Sequence, residues 1–249
     1  MNLSELIDLQ IKKSIVEFGI EKYYREPLLG FASADDHLFT QIKQIVGPHH
    51  LHPREFLPGA KTVVAFFIPF SDVIISANRK TPGVAREWAE AYIETNRLIT
   101  GICGQIINLL EREGYSALAE KPTHNFNEDD LTAGWSHKSV AFVAGLGTFG
   151  VNRMLITRAG CAGRLGSVVT SAVIPPSPKP QEEYCGYYSA GKCLYCVKHC
   201  PTGALKTGGI DKHTCYRRLL EVDREFADLE LCDVCGKCAV GPCAAGPVK

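Results

Sequence analysis

Apolar residues recur at helical intervals from the start of the chain: Leu3, Leu6, Ile7, Ile11, Ile15 and Phe18 share one face, and Gly19 supplies a stop. Asp35 to Val46 predicts a second, shorter helix, ended by Gly47-Pro48. Lys61 to Phe70 (KTVVAFFIPF) is instead an unbroken apolar run rich in β-branched and aromatic residues, the pattern of a buried strand. From Val84 to Glu113 the helical period returns through Trp88, Tyr92, Thr95, Leu98, Ile102 and Ile106, and Gly114 ends it. Tyr115 to Ala119 can return as a strand, a short helix starts at Trp135 and runs through Ala144, and Ser167 to Ile174 reads as a further strand. Helices interleaved with strands predict an α+β protein with an N-terminal α/β layer, not a helical bundle. Pro175, Pro176, Pro178 and Pro180 stiffen the stretch that follows, which places a domain boundary there: 1–180, then 181–249.

Composition narrows the class. With 45% hydrophobic and 22% charged residues over 249 positions, the chain is an ordinary globular protein. Lys+Arg and Asp+Glu balance at 27 each, which removes the simplest electrostatic argument for nucleic acid. Met1 to Ile20 is charged and amphipathic and lacks the apolar core of a secretory signal, and Val63 to Phe70 is too short to cross a bilayer. Without a signal or a span, the expected location is the cytoplasm, with no membrane partner.

Cysteine spacing changes the picture most. Nine of the eleven cysteines fall between Cys185 and Cys243. The densest run reads Cys193-Leu-Tyr-Cys196-Val-Lys-His-Cys200-Pro201, and a second reads Cys232-Asp-Val-Cys235-Gly-Lys-Cys238, followed by Cys243. The C-x3-C-P ending is that of bacterial ferredoxins, where the Cys before Pro leaves the first cluster and ligates its neighbour. Two [4Fe–4S] clusters need eight cysteines. Structural zinc also uses paired C-x2-C motifs, but nine cysteines exceed the need of one ion, and zinc has no use for the Cys-Pro terminus. A disulfide framework does not suit a chain without an export signal. Cys103, in the long helix, and Cys161, in a turn, stand apart from the cluster and read as packing or surface residues.

Three further stretches carry candidate chemistry. His49-His50-Leu51-His52 lies between prolines and reads as an exposed loop in preference to a metal site. Pro122 to Leu131 is polar and turn-rich, with Glu128, Asp129 and Asp130. Gly145, Gly147 and Gly150 match G-x-G-x-x-G, yet they follow a helix and precede the apolar run Met154 to Thr157, the reverse of the order a dinucleotide fold requires. What remains is a loop whose backbone can approach a large flat ligand.

These pieces, in this order, resemble the epoxyqueuosine reductase family, with reductive dehalogenases as more distant cousins. The resemblance begins near Leu57-Pro58-Gly59-Ala60-Lys61, peaks at Ala144-Gly145-Leu146-Gly147-Thr148-Phe149-Gly150-Val151-Asn152, continues through Gly166-Ser167 and ends in the double ferredoxin motif. It implies an N-terminal cobalamin-binding domain fed single electrons by a small ferredoxin-like domain with two [4Fe–4S] clusters. Carried over, Gly145, Gly147, Gly150 and Asn152 would line the corrin, with His137, Lys138 and Ser139 close by. The family pairing groups Cys193, Cys196 and Cys243 with Cys185 on one cluster, and Cys200, Cys215, Cys235 and Cys238 on the other. Spacing alone offers Cys232-Cys235-Cys238 as a triplet that would leave Cys215 spare. The family reading is followed here, because Ile210 to Cys215 resembles its extra ligand segment. The family's catalytic aspartate falls near Leu131, where the nearest acids are Asp129 and Asp130, and His137 is a third candidate proton donor.

The leading expectation is therefore a cobalamin-dependent iron–sulfur reductase. It would take electrons from an external low-potential donor and act on a small-molecule or protein substrate. The chain ends soon after the second cysteine run, where the family continues into a helical-repeat region that helps hold tRNA, so tRNA is expected to be an unlikely partner. The alternative expectation is a ferredoxin-type carrier, or a reductive activator of a corrinoid or metalloenzyme, without its own cobalamin. A zinc-stabilised binding module is the third.

Overall fold

The structure is a computed structural model that describes residues 1–124 and 126–248. Its helices are α1 (Leu3–Phe18), α2 (Leu38–Ile45), α3 (Pro53–Phe56), α4 (Asp72–Lys80), α5 (Arg86–Arg112), α6 (His137–Val143), α7 (Gly186–Ala190), α8 (Tyr195–Lys198) and α9 (Lys212–Glu225). Its strands are β1 (Leu28–Ser33), β2 (Thr62–Pro69), β3 (Ala117–Ala119), β4 (Phe126–Asn127), β5 (Thr132–Ala133), β6 (Gly147–Phe149), β7 (Leu155–Thr157), β8 (Gly163–Thr170), β9 (Leu205–Lys206) and β10 (Gly209–Ile210).

Strand β2 is the spine: all eight of its residues are buried. It sits inside a four-stranded sheet of order β1-β2-β8-β3. Its two faces go to two cores, as the period-2 alternation of a strand requires. Val64, Phe66 and Ile68 join the core built with α1 and α5, while Val63, Ala65 and Phe67 join the core built with α2 and α6. That double burial explains why the sequence here is a continuous apolar run. Every pairing in the sheet is antiparallel, with Val64 opposite both Phe31 and Val168. The fold is thus mixed helix and sheet without the parallel crossover of an α/β layer.

The two long helices follow their sequence signals. Asn2 caps α1 through a reciprocal box with Glu5, and Gly19 ends it at φ 77°. Helix α5 buries Trp88, Tyr92, Thr95, Leu98, Ile102 and Ile106, the periodic positions read from the sequence. The proline-rich stretch is laid along the free edge of β1: Ser177 N–H donates to Phe31 O at 2.9 Å, and Phe31 N–H donates to Ser177 Oγ at 3.0 Å. This covers an edge that would otherwise stay open to pairing.

Segments on either side of residue 180 share one core. Cys185, Val222, Ala239, Val240 and Ala244 pack into the same apolar cluster as α1 and α5. Among the described residues, no helix is long and apolar enough to cross a membrane.

Candidate functional site

Five cysteines line a small void in the C-terminal region: Cys185, Cys193, Cys196 and Cys243, with Cys238 at its border with the larger cavity. Cys185 sits at the N-terminal boundary of α7, and Cys193 adopts a left-handed backbone at φ 73° just before α8, which carries Cys196. Cys243 arrives from the far end of the chain, held by Cys161 N–H donating to its carbonyl at 3.0 Å. Burial, followed by the sulfurs of Cys243, Cys185 and Cys193, pushes the Cys196 thiol up to about 11.

A second group of four, Cys200, Cys215, Cys235 and Cys238, lies along the wall of a larger cavity. Cys215 reaches it from the first turn of α9, whose N-terminus is fixed by Asp211 accepting from Thr214 N–H. Burial and the nearby Cys235 and Cys200 sulfurs push the Cys215 thiol up to about 11. Cys238 is driven to about 12, by burial first and then by Cys235, Cys215 and Cys196, a member of the other group. The two groups meet at Cys196 and Cys238, which line the smaller void together while Cys238 also lines the larger cavity. Cys200 behaves differently: burial raises it, but the hydrogen bonds of Leu205, Thr202 and Ala204 outweigh burial and lower it.

Both groups offer thiols alone. All-thiol sets spread around voids are the donor chemistry of iron–sulfur cubes.

Cys232 belongs to neither group. It is fully buried among Ala89, Tyr92 and Ile93, and its N–H donates to Asp223 Oδ1 at 2.7 Å. The structure does not bring the triplet suggested by spacing together: Cys232 packs against α5 while Cys235 and Cys238 line the larger cavity. Cys161, in contrast, is not the isolated residue its sequence position suggests: its Sγ lies 3.7 Å from Cys243 Sγ. Cys103 is a packing residue under the sheet, with burial pushing its thiol up to about 12.

The larger cavity has a volume of about 960 Å³. Phe142 of α6, Phe149 and Met154 of the β6–β7 hairpin, and Trp88 and Tyr92 of α5 give it apolar walls, and the second cysteine group forms another wall. Lys138, Arg153, Arg164, Lys212, Arg218 and Lys237 line it with one carboxylate, Asp233, though Arg218 is paired with Glu221 and Glu225 and Lys237 Nζ donates to the Asn78 and Thr81 carbonyls. Asp233 is buried, accepting from Tyr92 Oη at 2.6 Å, with His124 Nε2 at 3.4 Å. Arg164 lies over the Tyr92 ring at 4.3 Å. Burial lowers the proton affinity of Lys138, whose Nζ donates to Arg153 O at 3.3 Å. Arg164, Arg153 and Asp233 were not legible as site residues, since each comes from a different segment.

The expected corrin-lining residues divide. Lys138, Ser139 and Asn152 line the cavity. Gly145, Gly147 and Gly150 do not. A Cβ on Gly147 would lie 2.0 Å from Ile156 O, and one on Gly145 would lie 2.6 Å from Pro178 O. Gly145 and Gly147 let two backbones meet inside the protein, and Gly150 packs against the Asn152 and Ile156 side chains, so the structure does not bring these three to the cavity. The same holds for His137. Its Nε2–H donates to Lys121 O at 2.8 Å, its Nδ1 accepts from Ser167 Oγ at 2.9 Å, and burial lowers its proton affinity. It lies outside the cavity lining, a neutral, structural imidazole.

Asp129 and Asp130 sit in the turn of the β4–β5 hairpin, here called the flap, which lies against the cavity. Phe126, Leu131 and Thr132 of the flap line the cavity, while the two carboxylates are exposed. Asp130 Oδ1 accepts from Thr132 Oγ1 at 2.6 Å and from Thr132 N–H at 3.0 Å, which holds its carboxyl below the usual range. Lys212 Nζ donates to the carbonyls of Asp130 and Leu131, tying the flap to α9. The three neighbouring histidines separate. His49 Nε2 lies 2.6 Å from Thr132 Oγ1, His52 caps α3, and His50 is fully buried against Trp135. Burial pushes His50 down to about 4, where the sequence suggested an exposed loop.

No family model matches the chain. Three curated relatives do. An epoxyqueuosine reductase of Bacillus cereus is 28% identical over 91% of this chain and 63% of its own length, and one of Francisella cf. novicida is 28% identical over 76% and 52%. The chain thus spans under two thirds of the curated relatives' length. Among solved structures, a selenomethionine-labelled epoxyqueuosine reductase matches with TM-score 0.58 at 20% identity, covering 100% of this chain and 68% of that one. Another, at TM-score 0.56 and 21% identity over 89% and 59%, was solved with an epoxyqueuosine-modified tRNA-Tyr stem loop. A B12-dependent reductive dehalogenase matches with TM-score 0.53 at 13% identity, over 76% and 26%. The resemblance read from the motifs is shown by these matches. They also overturn the expectation that tRNA is an unlikely partner, since a relative that shares this fold holds a tRNA stem loop.

Proposed function

We propose that this relative of the epoxyqueuosine reductases is itself a reductase, with one [4Fe–4S] cluster held by Cys185, Cys193, Cys196 and Cys243 and a second by Cys200, Cys215, Cys235 and Cys238. The cavity beside the second set would take cobalamin together with the group to be reduced. One observation carries this reading: a cavity of about 960 Å³ has a wall made of the second cysteine set, which meets the first at Cys196 and Cys238. That volume is within the upper part of the range of small-molecule sites. Bound clusters would supply single electrons and bound cobalamin a strongly reducing cobalt centre.

The protein's own part is positioning, charge and proton supply. Phe142, Phe149 and Met154 give a flat apolar face, while Lys138 and Ser139 add polar contacts beside it. The cationic lining attracts an anionic substrate such as a tRNA segment, the substrate class that the relatives' names support. Reductive removal of an epoxide oxygen consumes two electrons and two protons and releases water.

Asp130, with Asp129 beside it, is the proposed proton source, supported by the place of both in the hairpin turn whose neighbours Leu131 and Thr132 line the cavity. In the present arrangement the Thr132 hydrogen bonds keep Asp130 ionised, so the flap must shift for the carboxyl to take and deliver a proton. A Bacillus subtilis epoxyqueuosine reductase of this fold, at 20% identity and TM-score 0.57, was solved with its catalytic aspartate loop swung out of the active site. A mobile flap carrying the acid fits that precedent.

The test is anaerobic. Reconstituted protein is analysed for iron, titrated with cobalamin by absorbance, and given an epoxyqueuosine-containing tRNA stem loop. About eight irons per chain, a corrin-band shift saturating at one equivalent, and conversion of the nucleoside support the reading. Eight irons without a corrin shift would make the protein an electron carrier, and about four irons would remove one cluster.

A further inference from the structure

Two side chains outside both cysteine sets converge on Cys243. Asn152 follows β6 and is buried. Its Oδ1 is occupied by Met154 N–H at 3.1 Å, which turns Nδ2 inward, where it donates to Cys238 O at 3.1 Å. A flipped amide would set oxygen against carbonyl and nitrogen against N–H, so the network fixes its orientation. From there Nδ2 lies 3.5 Å from Cys161 Sγ and 3.9 Å from Cys243 Sγ. Cys161 is the second side chain, its Sγ 3.7 Å from Cys243 Sγ.

The backbone is built to hold this approach. Cys161 N–H donates to Cys243 O at 3.0 Å and Ala162 N–H to Ala244 O at 3.1 Å. Gly160, at φ 86°, comes so near that a Cβ there would lie 2.1 Å from Ala244 O. Among the described residues, Cys185, Cys193 and Cys196 have no side-chain donor at hydrogen-bonding distance of their sulfurs. Cys243 has two within reach, the Asn152 N–H, which Cys161 Sγ shares, and the Cys161 S–H, whose other acceptor is Ala239 O at 3.6 Å.

We infer that Asn152 and Cys161 are positioning residues that hydrogen-bond the Cys243 thiolate and raise the reduction potential of the first cluster. The inference rests on the reading that Cys185, Cys193, Cys196 and Cys243 hold a [4Fe–4S] cluster. Reduction adds one electron, and with it negative charge, to the cluster and its thiolates. Donors aimed at a ligand sulfur stabilise that more negative state, and cluster potentials are set in part by such hydrogen bonds. Both donors are buried, where the weak local screening strengthens their effect. Asn152 meets only the backbone carbonyl of Cys238, not its sulfur, so the second cluster serves as an internal reference.

The experiment is an EPR-monitored titration with dithionite of reconstituted wild type, Cys161→Ala, Cys161→Ser and Asn152→Asp. Asp keeps the acceptor for Met154 N–H and removes the donor. A Cys193→Ser variant assigns the first cluster's signal. Cys161→Ala is expected to retain iron and lower the first cluster's potential alone, and Asn152→Asp, which also sets a charge beside Cys238 O, to lower the first cluster's potential more than the second's. The expected size is a tenfold fall in the reduced-to-oxidised ratio at fixed potential, about 59 mV for a one-electron couple. Cys161→Ser, which keeps a donor, should stay near wild type. Unchanged potentials, or equal shifts of both clusters, would overturn the inference. If Asn152→Asp loses iron, Cys161→Ala decides alone, since it leaves the Asn152 network intact. Wild type with well under eight irons would instead sink the cluster reading itself.

Discussion

Ser167 Oγ lies 2.9 Å from His137 Nδ1 and is itself the acceptor of Trp135 Nε1–H at 2.9 Å. The donors run in one direction, from Trp135 through Ser167 and His137 to Lys121 O, which requires His137 to be neutral with its proton on Nε2. His137→Ala leaves Lys121 O and Ser167 Oγ without this partner in a buried site. It is expected to destabilise the protein by about 1–3 kcal/mol. Corrin affinity of the folded fraction should not change. Urea denaturation and a cobalamin titration check the two halves. Normal stability with lost corrin binding would return His137 to the ligand site.

His50 gives a pH dependence of definite sign. Its Nδ1–H donates to Leu51 O and its Nε2 accepts from Ser136 N–H, so the folded form is neutral and its pKa falls to about 4. An unfolded histidine titrates near 6.5. Above about pH 6.5 both states are neutral and the contribution is complete. As pH falls from there toward 4, the unfolded chain takes the proton first and stability is lost. His137 adds a loss of the same sign. Urea midpoints of wild type and His50→Gln at pH 7, 6 and 5 should diverge in slope, with the variant less sensitive to acid. Parallel slopes would show that His50 is not the sensing group.

What the sequence disclosed depended on how local each determinant is. Helix α5 and strand β2 were legible because their burial patterns repeat within their own residues. The pair Cys193 and Cys196 was legible for the same reason. The choice between Cys215 and Cys232 was not, since it turns on where α9 and the chain after Asp223 place each thiol. The glycine motif announced close approach, but of a flat ligand. A missing Cβ cannot say what fills its space, and here it is the Ile156 and Pro178 carbonyls. Strand β8 was expected at Ser167 to Ile174 and spans Gly163–Thr170, because its pairing with β2 begins opposite Pro69. Cys161 gave no sequence signal of its nearness to Cys243, which lies 82 positions away.

The cysteine assignment predicts unequal iron losses. Cys238→Ala and Cys215→Ala should each lower reconstituted iron from about eight toward about four per chain. Cys232→Ala should keep all the iron, since its thiol packs against Ala89, Tyr92 and Ile93 and lines neither void. Iron quantification on proteins reconstituted side by side distinguishes them. Retention by Cys215→Ala with loss by Cys232→Ala would restore the triplet suggested by spacing.

Glycine substitutions separate backbone contact from ligand contact. Gly147→Ala drives a methyl to 2.0 Å from Ile156 O, a clash of backbone with Cβ in the β6–β7 hairpin that no rotamer relieves. A loss above about 2 kcal/mol is expected, or no soluble protein. Gly101→Ala is the control: it sits inside α5 with nothing within 4 Å of the added methyl. It should gain about 0.5–1 kcal/mol. Thermal denaturation of the three proteins gives the comparison, and a stable Gly147→Ala that fails only in corrin binding would reinstate the ligand-lining role.

Asp130 and Thr132 make the proton supply testable. If Asp130 is the acid, Asp130→Asn should lower turnover by about 10²–10⁴ without changing corrin affinity. Asp129→Asn, with no Thr132 contact to hold it in register, should cost far less. The pH profile adds a readout that a structural role cannot imitate. Thr132 Oγ1–H and N–H hold the Asp130 carboxyl below its usual range by stabilising the charged form. Turnover that needs the protonated acid falls as pH rises through its pKa. Thr132→Ala removes the hydroxyl donor, which raises that pKa and keeps more acid protonated at any given pH. The falling limb of the single-turnover profile should therefore move to higher pH in Thr132→Ala and vanish in Asp130→Asn. A limb that stays in place in both variants would assign the proton to another group.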